Sequence, residues 1–148
     1  MTAVKPPPLP PLPQGTEPHV AALAGRLLEV VRQAVAAGDW GGLRASHMRL
    51  LSSVPPSGTT ITELSGQLFM TKQAVGQFVA QLEQTGHLEV LPDPDDRRRR
   101  VVLATDLGRG TVRSVNETVA ALEDHWAGVV GRERYAQFRD VLDEITRG

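Results

Sequence analysis

Two short helical patterns lie close together in the middle of the chain, and they restrict the fold more than any other feature. The first has apolar residues at Leu64 and Leu68, after Thr62 as a suitable N-cap. The second follows Thr71, another capping residue, and its apolar face consists of Val75, Phe78, Val79 and Leu82. Gly86 suits the left-handed position just past a helix end. The sequence therefore predicts two helices joined by a tight turn.

Two short β-prone runs follow this helix pair, at Leu88 to Leu91 and Val101 to Leu103. The segment between them, PDPDDRRRR, combines proline, aspartate and a run of charge, which is typical of a solvated hairpin tip. A lone β-prone run, Thr59 to Ile61, precedes the pair. Two helices, a hairpin and a short strand are the parts of a winged helix-turn-helix.

Further helical patterns flank this module on both sides. Before it, a stripe that starts at Val20 predicts a helix ending near Gly38, and a second pattern stops at Pro55. After it, Thr105 can cap a long helix with a heptad pattern, and a final helix follows. The predicted fold class is mainly α with a small β-hairpin wing, in which a winged helix-turn-helix core at about 43–105 lies between N- and C-terminal dimerisation helices.

The flanking helices, at about 19–37 and 106–147, carry apolar faces that have no place inside the winged module. A two-fold dimer would bury them, because a C2 interface uses the same patch twice. The residues predicted to form this interface are Val20, Leu23, Leu27, Leu122, Trp126, Val129, Tyr135, Phe138 and Leu142. We therefore expect residues 19–148 to form one domain that assembles as a homodimer.

Composition excludes several other classes of protein. The chain has no cysteine, which excludes disulfides, thiolate metal sites and thiol redox sensing. No apolar run approaches the roughly 20 residues of a spanning helix. Residues 1–18 predict a proline-rich disordered tail, because a run of prolines favours an extended form. Prolines also stand where a signal peptide would have its apolar stretch. We expect a cytoplasmic protein with no membrane partner.

The outward face of the second central helix is polar. In a helix-turn-helix this helix lies in the major groove, where glutamine pairs with adenine and lysine with guanine or phosphate. The candidate DNA-binding residues here are Thr71, Lys72, Gln73, Gly76, Gln77 and Gln81. Close approach to DNA would explain the glycine, although random sequence drift would also explain it. For the glutamines, the alternative is an ordinary solvated helix surface.

The hairpin tip carries the only dense positive cluster, Arg97, Arg98, Arg99 and Arg100. Arginines at such a tip can enter the minor groove or pair with phosphates. The alternative is an ordinary turn neutralised by Asp93, Asp95 and Asp96. Residues 62–105 carry five basic and six acidic side chains, so DNA binding would depend on geometry and dimerisation rather than on net charge.

The run from Leu43 to Gly108 resembles the winged-helix core of the MarR family. In that family an Asp-x-Arg on the wing precedes a Leu-Thr-x-x-Gly that opens the dimerisation helix, and Asp96-Arg97-Arg98 and Ala104-Thr105-Asp106-Leu107-Gly108 occupy those places here. The resemblance implies that Arg98 is the minor-groove arginine and that Asp96 orients it. His87, Val90 and Ala104 depart from the family pattern, which more often has an apolar or aromatic residue, an arginine and a leucine.

The resemblance also implies a regulator of transcription that represses until a small, often aromatic, effector binds. Trp40, Arg44 and His47 are the candidate effector-lining residues, with core packing as the alternative for His47. The expected partner is double-stranded DNA with an inverted-repeat operator, whose half-sites lie about 10 bp apart or a little more. We expect no cofactor and no enzymatic activity.

Two alternatives remain open at the level of sequence. A metal site or enzyme could use Asp93, Asp95, Asp96 and His87, although the adjacent arginines would repel a cation. Elsewhere, Ser46-His47, Ser52-Ser53 and His125 have no base and orienting partner that the sequence reveals. The second alternative keeps the winged fold but uses it for protein contacts.

Overall fold

A computed structural model describes residues 18–96 and 98–147, so the predicted tail, apart from Pro18, and Arg97 lie outside the described residues. The elements, in chain order, are α1 (Val20–Ala36), α2 (Ala45–Ser52), α3 (Ile61–Leu68), α4 (Lys72–Gln84), β1 (Leu88–Pro92), β2 (Arg100–Ala104), α5 (Asp106–Val130) and α6 (Arg132–Arg147). This mainly helical structure with one antiparallel hairpin confirms the predicted fold class.

The chain divides into two compact units. The helix-turn-helix unit is Gly38–Val115, and the terminal unit contains the described residues up to Ala37 and from Asn116 onward. The core of the helix-turn-helix unit consists of Leu50, Leu51, Leu64, Leu68, Val75, Val79, Leu82, Leu88 and Val102. Full burial of each such side chain contributes about 1.5–3 kcal/mol. The predicted apolar faces of the two central helices therefore form this core.

The start of α3 differs from the sequence prediction. Its N-cap is Thr60, not Thr62: the Thr60 hydroxyl accepts from the Glu63 amide at 3.2 Å, and the Glu63 carboxylate accepts from the Thr60 amide at 2.8 Å. This reciprocal capping box satisfies two amides that a helix start leaves unpaired. Thr59 forms a single antiparallel bridge with Val102. The predicted strand at Thr59 to Ile61 is therefore one bridge, because the next residue already caps the helix.

The predicted signals around α4 and the wing, residues 88–104, are confirmed. The Thr71 hydroxyl caps α4 by accepting from the Ala74 amide at 3.2 Å, and Gly86 takes a left-handed conformation with φ of 76°. The two strands pair antiparallel from Leu88 opposite Ala104 to Pro92 opposite Arg100. Arg100 therefore belongs to the second strand and not to the tip.

The start of α5 is fixed to the base of the wing. The Thr105 hydroxyl accepts from the Gly108 amide at 3.1 Å, which confirms it as the helix cap, and it donates to the Gly86 carbonyl at 2.6 Å. A Cβ atom on Gly108 would overlap the carbonyl oxygen of His87. Glycine at this position is therefore a requirement of the close approach between helix and wing.

The terminal unit buries few of its apolar residues within one chain. Leu122 is fully buried, but α6 has no buried residue. Its exposed large apolar side chains are Val20, Leu23, Leu28, Val129, Val130, Phe138, Val141 and Ile145. Among the described residues, no helix has the length and apolar character that crossing a bilayer requires.

Candidate nucleic-acid interface

The outward face of α4 is accessible to a partner. Its candidate DNA-binding side chains are exposed, and these are Thr71, Lys72, Gln73, Gln77 and Gln81. Gly76 lies among them, with open space where a Cβ atom would stand. The described part of the chain therefore gives no packing reason for this glycine, which costs about 1 kcal/mol in helix propensity relative to alanine.

Gln81 is held by a buried histidine of α2. Nε2 of the His47 ring lies 2.6 Å from the side-chain oxygen of Gln81, and Nδ1 of the ring accepts from the backbone amide of Arg44 at 3.0 Å. Because Nδ1 accepts, the proton of the neutral ring lies on Nε2 and the Gln81 oxygen is the acceptor. The side-chain amide nitrogen of Gln81 therefore remains the group that can donate a hydrogen bond to a partner. No local pattern in the sequence indicates this pair, since 34 residues separate its members.

Aspartates shape the wing tip through the backbone. The Asp93 carboxylate accepts from the Asp95 amide at 2.9 Å, and the Asp96 carboxylate accepts from the Arg98 amide at 3.0 Å. These contacts are the side-chain turns that aspartate commonly forms. Asp96 therefore contacts the main chain of Arg98, whereas the family resemblance implied that it orients this residue's side chain.

The described arginines of the cluster, Arg98, Arg99 and Arg100, have different surroundings. Arg99 pairs with Glu63 at 2.9 Å and lies 3.6 Å from the Asp93 carboxylate, and Arg100 donates to the Val90 carbonyl at 2.9 Å. Arg98 is exposed and forms no ion pair within the described part of the chain. Of the described arginines in this cluster, Arg98 is thus the one whose side chain forms no hydrogen bond or ion pair with another described residue.

Glu63 joins the wing to the helix pair electrostatically. The pKa of its carboxyl lies below the usual 4.5, chiefly because the Thr60 amide donates to it, with further hydrogen bonds from the hydroxyls of Thr59 and Thr60. Its pairing with Arg99 lowers this pKa further. One carboxylate therefore caps α3 and also restrains an arginine of the wing.

The candidate effector residues fall into two separate cavities. Arg44 and His47 line a polar cavity of about 510 Å³ together with Gln77, Phe78 and Gln81 of α4. Trp40 lines another cavity, of about 730 Å³, whose wall includes His87, Asp106 and Thr111. The structure thus brings two of the three predicted residues together, and it adds residues of α4 to them.

The residues of the predicted metal alternative do not converge. His87 is buried and its Nδ1 lies 2.9 Å from the Thr85 hydroxyl, at the base of the wing. Asp93, Asp95 and Asp96 lie beyond the far end of β1, a five-residue strand about 15 Å long. Across residues 18–96 and 98–147, no three carboxylate or histidine side chains are placed to hold a metal ion.

A family model and one curated relative each match part of the chain. A sequence model described as MarR family matches residues 42–99. The chain is 34% identical over 53 residues to the transcriptional activatory protein BadR of Rhodopseudomonas palustris, a match that covers 36% of this chain and 30% of BadR. The matched part is therefore less than a third of that relative.

The fold is similar to solved structures over most of the chain. CouR of Rhodococcus jostii, solved bound to p-coumaroyl-CoA, has a TM-score of 0.67 and 23% identity, with 85% of this chain and 90% of CouR covered. FabT of Streptococcus pneumoniae, solved in complex with DNA, has a TM-score of 0.71 and 17% identity, with 86% and 90% covered. Together with the match of the MarR family model to residues 42–99, these structures show that the chain has the same winged-helix fold as CouR and FabT.

Proposed function

We propose that this protein is a homodimeric, sequence-specific repressor that binds double-stranded DNA through α4 and the wing and is released by a small aromatic effector. The observation that carries the proposal is that the chain has both an exposed polar face on α4 and an exposed wing arginine, Arg98, that no described carboxylate neutralises. The solved complex of FabT with DNA supports this use of the shared fold.

Each element has a distinct task at the duplex. The first turn of α4 offers backbone amides, Thr71 and Lys72 to phosphate, while Gln73 and Gln77 reach base edges in the major groove. Arg98 enters the adjacent minor groove, where the negative potential is concentrated. Arg99 ties the wing to α3 through Glu63, whereas the contact of Arg100 with the Val90 carbonyl lies within the wing.

The terminal unit supports the proposed dimer. Its exposed apolar residues lie on α1, on the last turns of α5 and on α6, and they include Val129 and Phe138. The Nε atom of Arg26 on α1 is buried and has no hydrogen-bond partner among the described residues. A second copy of the chain would cover these apolar residues. The α4 helices of the two copies, one from each, would then contact half-sites about 10 bp apart or slightly more.

The effector would bind in the cavity lined by Arg44 and His47. Arg44 supplies a positive charge, and the ring of Phe78, which meets His47 edge to face at 5.1 Å between centroids, supplies an apolar wall. A ligand there would contact Gln77 and Gln81 of the recognition helix directly. It would lower DNA affinity only if it favoured a placement of α4 that DNA does not accept. CouR, bound to p-coumaroyl-CoA, shows that a protein of this fold accepts an aromatic ligand.

A selection from genomic DNA fragments at low salt tests the DNA-binding proposal, and the strongest duplex recovered then serves as the probe. Arg98→Ala should lower affinity for that duplex about 10-fold and reduce the dependence of binding on salt by about one ion, since one phosphate-region contact is lost. Gln77→Ala should instead alter base preference at one position of each half-site.

Arg139→Ala is the matched control, because this exposed arginine lies on α6 in the terminal unit. Its binding should equal that of the wild type. Failure to enrich any duplex would contradict the proposal and favour a winged helix that contacts proteins. Unchanged affinity and base preference in both α4 and wing variants would exclude the proposed contact surface.

A further inference from the structure

The turn between α3 and α4 contains an unusual residue. Phe69 has φ of 54° and ψ of 44°, which makes it the one non-glycine residue with positive φ in the described ranges 18–96 and 98–147. Its side chain is 94% exposed, more than any other large apolar residue in those ranges. A bulky residue in the left-handed region is strained, and such outliers concentrate at functional sites.

The turn explains the backbone of Phe69 but not its side chain. The Met70 amide donates to the Ser65 carbonyl at 3.0 Å and the Phe69 amide donates to the Gly66 carbonyl at 3.4 Å, which is the hydrogen-bond pattern that ends helices with a left-handed residue. Glycine provides that conformation without strain. The phenyl ring is almost wholly in solvent, so it adds no packing that would offset the strain.

We propose that Phe69 is a DNA-contacting residue, whose ring packs against apolar surface of the duplex at the edge of the major groove. This inference rests on the proposed function. Phe69 lies two residues before Thr71, at the end of α4 that offers amides to phosphate. Its exposed neighbours Thr71, Lys72 and Gln73 are polar, so the ring is a large exposed apolar group on a mostly polar surface. The exposed apolar residues assigned to the dimer lie in the other unit.

Duplex DNA offers a phenyl ring two kinds of apolar surface, the deoxyribose and the 5-methyl group of thymine. Both are reached without hydrogen bonds, which suits a side chain that has no donor or acceptor. The two sources can be separated with a duplex in which deoxyuridine replaces thymidine, because this change removes the methyl groups and keeps the sugars.

The decisive variant is Phe69→Gly, because the proposal predicts opposite effects on folding and on binding. Its melting temperature should rise by roughly 2–6 °C, since glycine relieves the left-handed strain. Its affinity for the strongest duplex recovered in the genomic selection should fall roughly 10-fold or more, as expected for loss of one buried aromatic contact per subunit. Fluorescence anisotropy and thermal unfolding measure the two quantities on the full chain.

Three further variants fix the interpretation. Phe69→Ala removes the ring and keeps the strain, so it should lose affinity without the gain in melting temperature, whereas Phe69→Tyr should bind as the wild type. Leu107→Ala, at an exposed apolar residue of the same unit, should bind unchanged. Lower wild-type affinity for the deoxyuridine duplex would assign the contact to thymine methyls, and unchanged affinity would assign it to the sugars.

The outcomes that overturn the inference are distinct from failure of the proposed function. If the wild type binds the duplex and Phe69→Gly binds equally well, Phe69 does not contact DNA, while the proposed function stands. The same conclusion follows if Phe69→Gly changes the sedimentation of the protein alone, since the ring would then contact another copy. If the wild type retains no duplex at all, both proposals fail.

Discussion

Gly108 and Gly76 both lie inside helices, but the chain constrains only one of them. At Gly108 a Cβ atom would overlap the His87 carbonyl oxygen, whereas at Gly76 there is open space within 4 Å. The glycine of the Leu-Thr-x-x-Gly pattern, here Gly108, therefore has a physical cause, because α5 starts in contact with the base of the wing. Gly76 has no such cause among residues 18–96 and 98–147, which agrees with the proposed approach of DNA to α4.

Gly108→Ala should destabilise the protein by about 1–3 kcal/mol, the usual cost of forcing an atom into a packed site. Gly110→Ala is the control, since nothing lies within 4 Å of its Cβ position in the same helix. That change should instead stabilise the protein by up to about 1 kcal/mol through helix propensity. Urea unfolding measures both. Equal effects of the two substitutions would show that the His87 carbonyl does not restrict α5.

At the residue scale, the sequence predicts contacts that are local in the chain and misses those that are not. The caps Thr71 and Thr105 and the left-handed Gly86 follow from residue type and position, and all three are confirmed. The pairs His47 with Gln81 and Glu63 with Arg99 span 34 and 36 residues. No periodicity relates such residues, because the packing of whole elements brings them together.

The start of α3 is the element that ties the helix pair to the wing. Glu63 accepts hydrogen bonds from the Thr60 amide and the Thr59 hydroxyl and also pairs with Arg99. The prediction of Thr62 as the cap was wrong because three threonines adjoin this helix start. The spacing of Thr60 and Glu63, which fits a capping box, was the available signal. Helix periodicity places an element well but locates its first residue poorly.

Glu63→Gln should remove a component of the acid sensitivity of folding, because glutamine keeps the capping geometry and loses the charge. The folded pKa of Glu63 lies below its ordinary value of 4.5, so its charged form stabilises the folded state above that pH. This stabilisation is lost as the pH falls through the lowered pKa. The difference in unfolding free energy between wild type and variant should therefore be largest near neutral pH and shrink below pH 4.5.

Urea unfolding of the two proteins between pH 3 and pH 7 provides this measurement. Glu89→Gln is a suitable control, since this exposed carboxylate lies on β1 outside the capping box. Its substitution should leave the pH profile close to that of the wild type. A difference between wild type and Glu63→Gln that stays constant with pH would show that charge has no part in the capping box.

On the scale of the whole molecule, sequence patterning identifies apolar faces but not which chain covers them. The heptad pattern of α5 assigned Leu122 and Val129 alike to the dimer interface. Leu122 is fully buried within a single chain, whereas Val129 is 71% exposed. Leu122 is therefore not accessible to a second copy, and the spacing of both residues could not reveal this difference. Which apolar residues are buried within one chain and which stay exposed is decided only when the helices pack.

Val129→Asp and Phe138→Asp should each convert the protein to a monomer without unfolding it. Both side chains are exposed in the single chain, so a charge there is solvated in the monomer but buried and unpaired in a dimer. Because a dimer binds two half-sites at once, loss of the second contact should weaken DNA binding roughly 100-fold or more.

Sedimentation velocity and anisotropy with the selected duplex test this prediction, with circular dichroism to verify folding. Leu107→Asp is the matched control, because Leu107 is 54% exposed but lies in the helix-turn-helix unit. It should remain dimeric and bind as the wild type. A wild type that sediments as a monomer would contradict the proposed dimer. Variants that stay dimeric would instead place the interface elsewhere, since two buried carboxylates facing their copies would strongly oppose association.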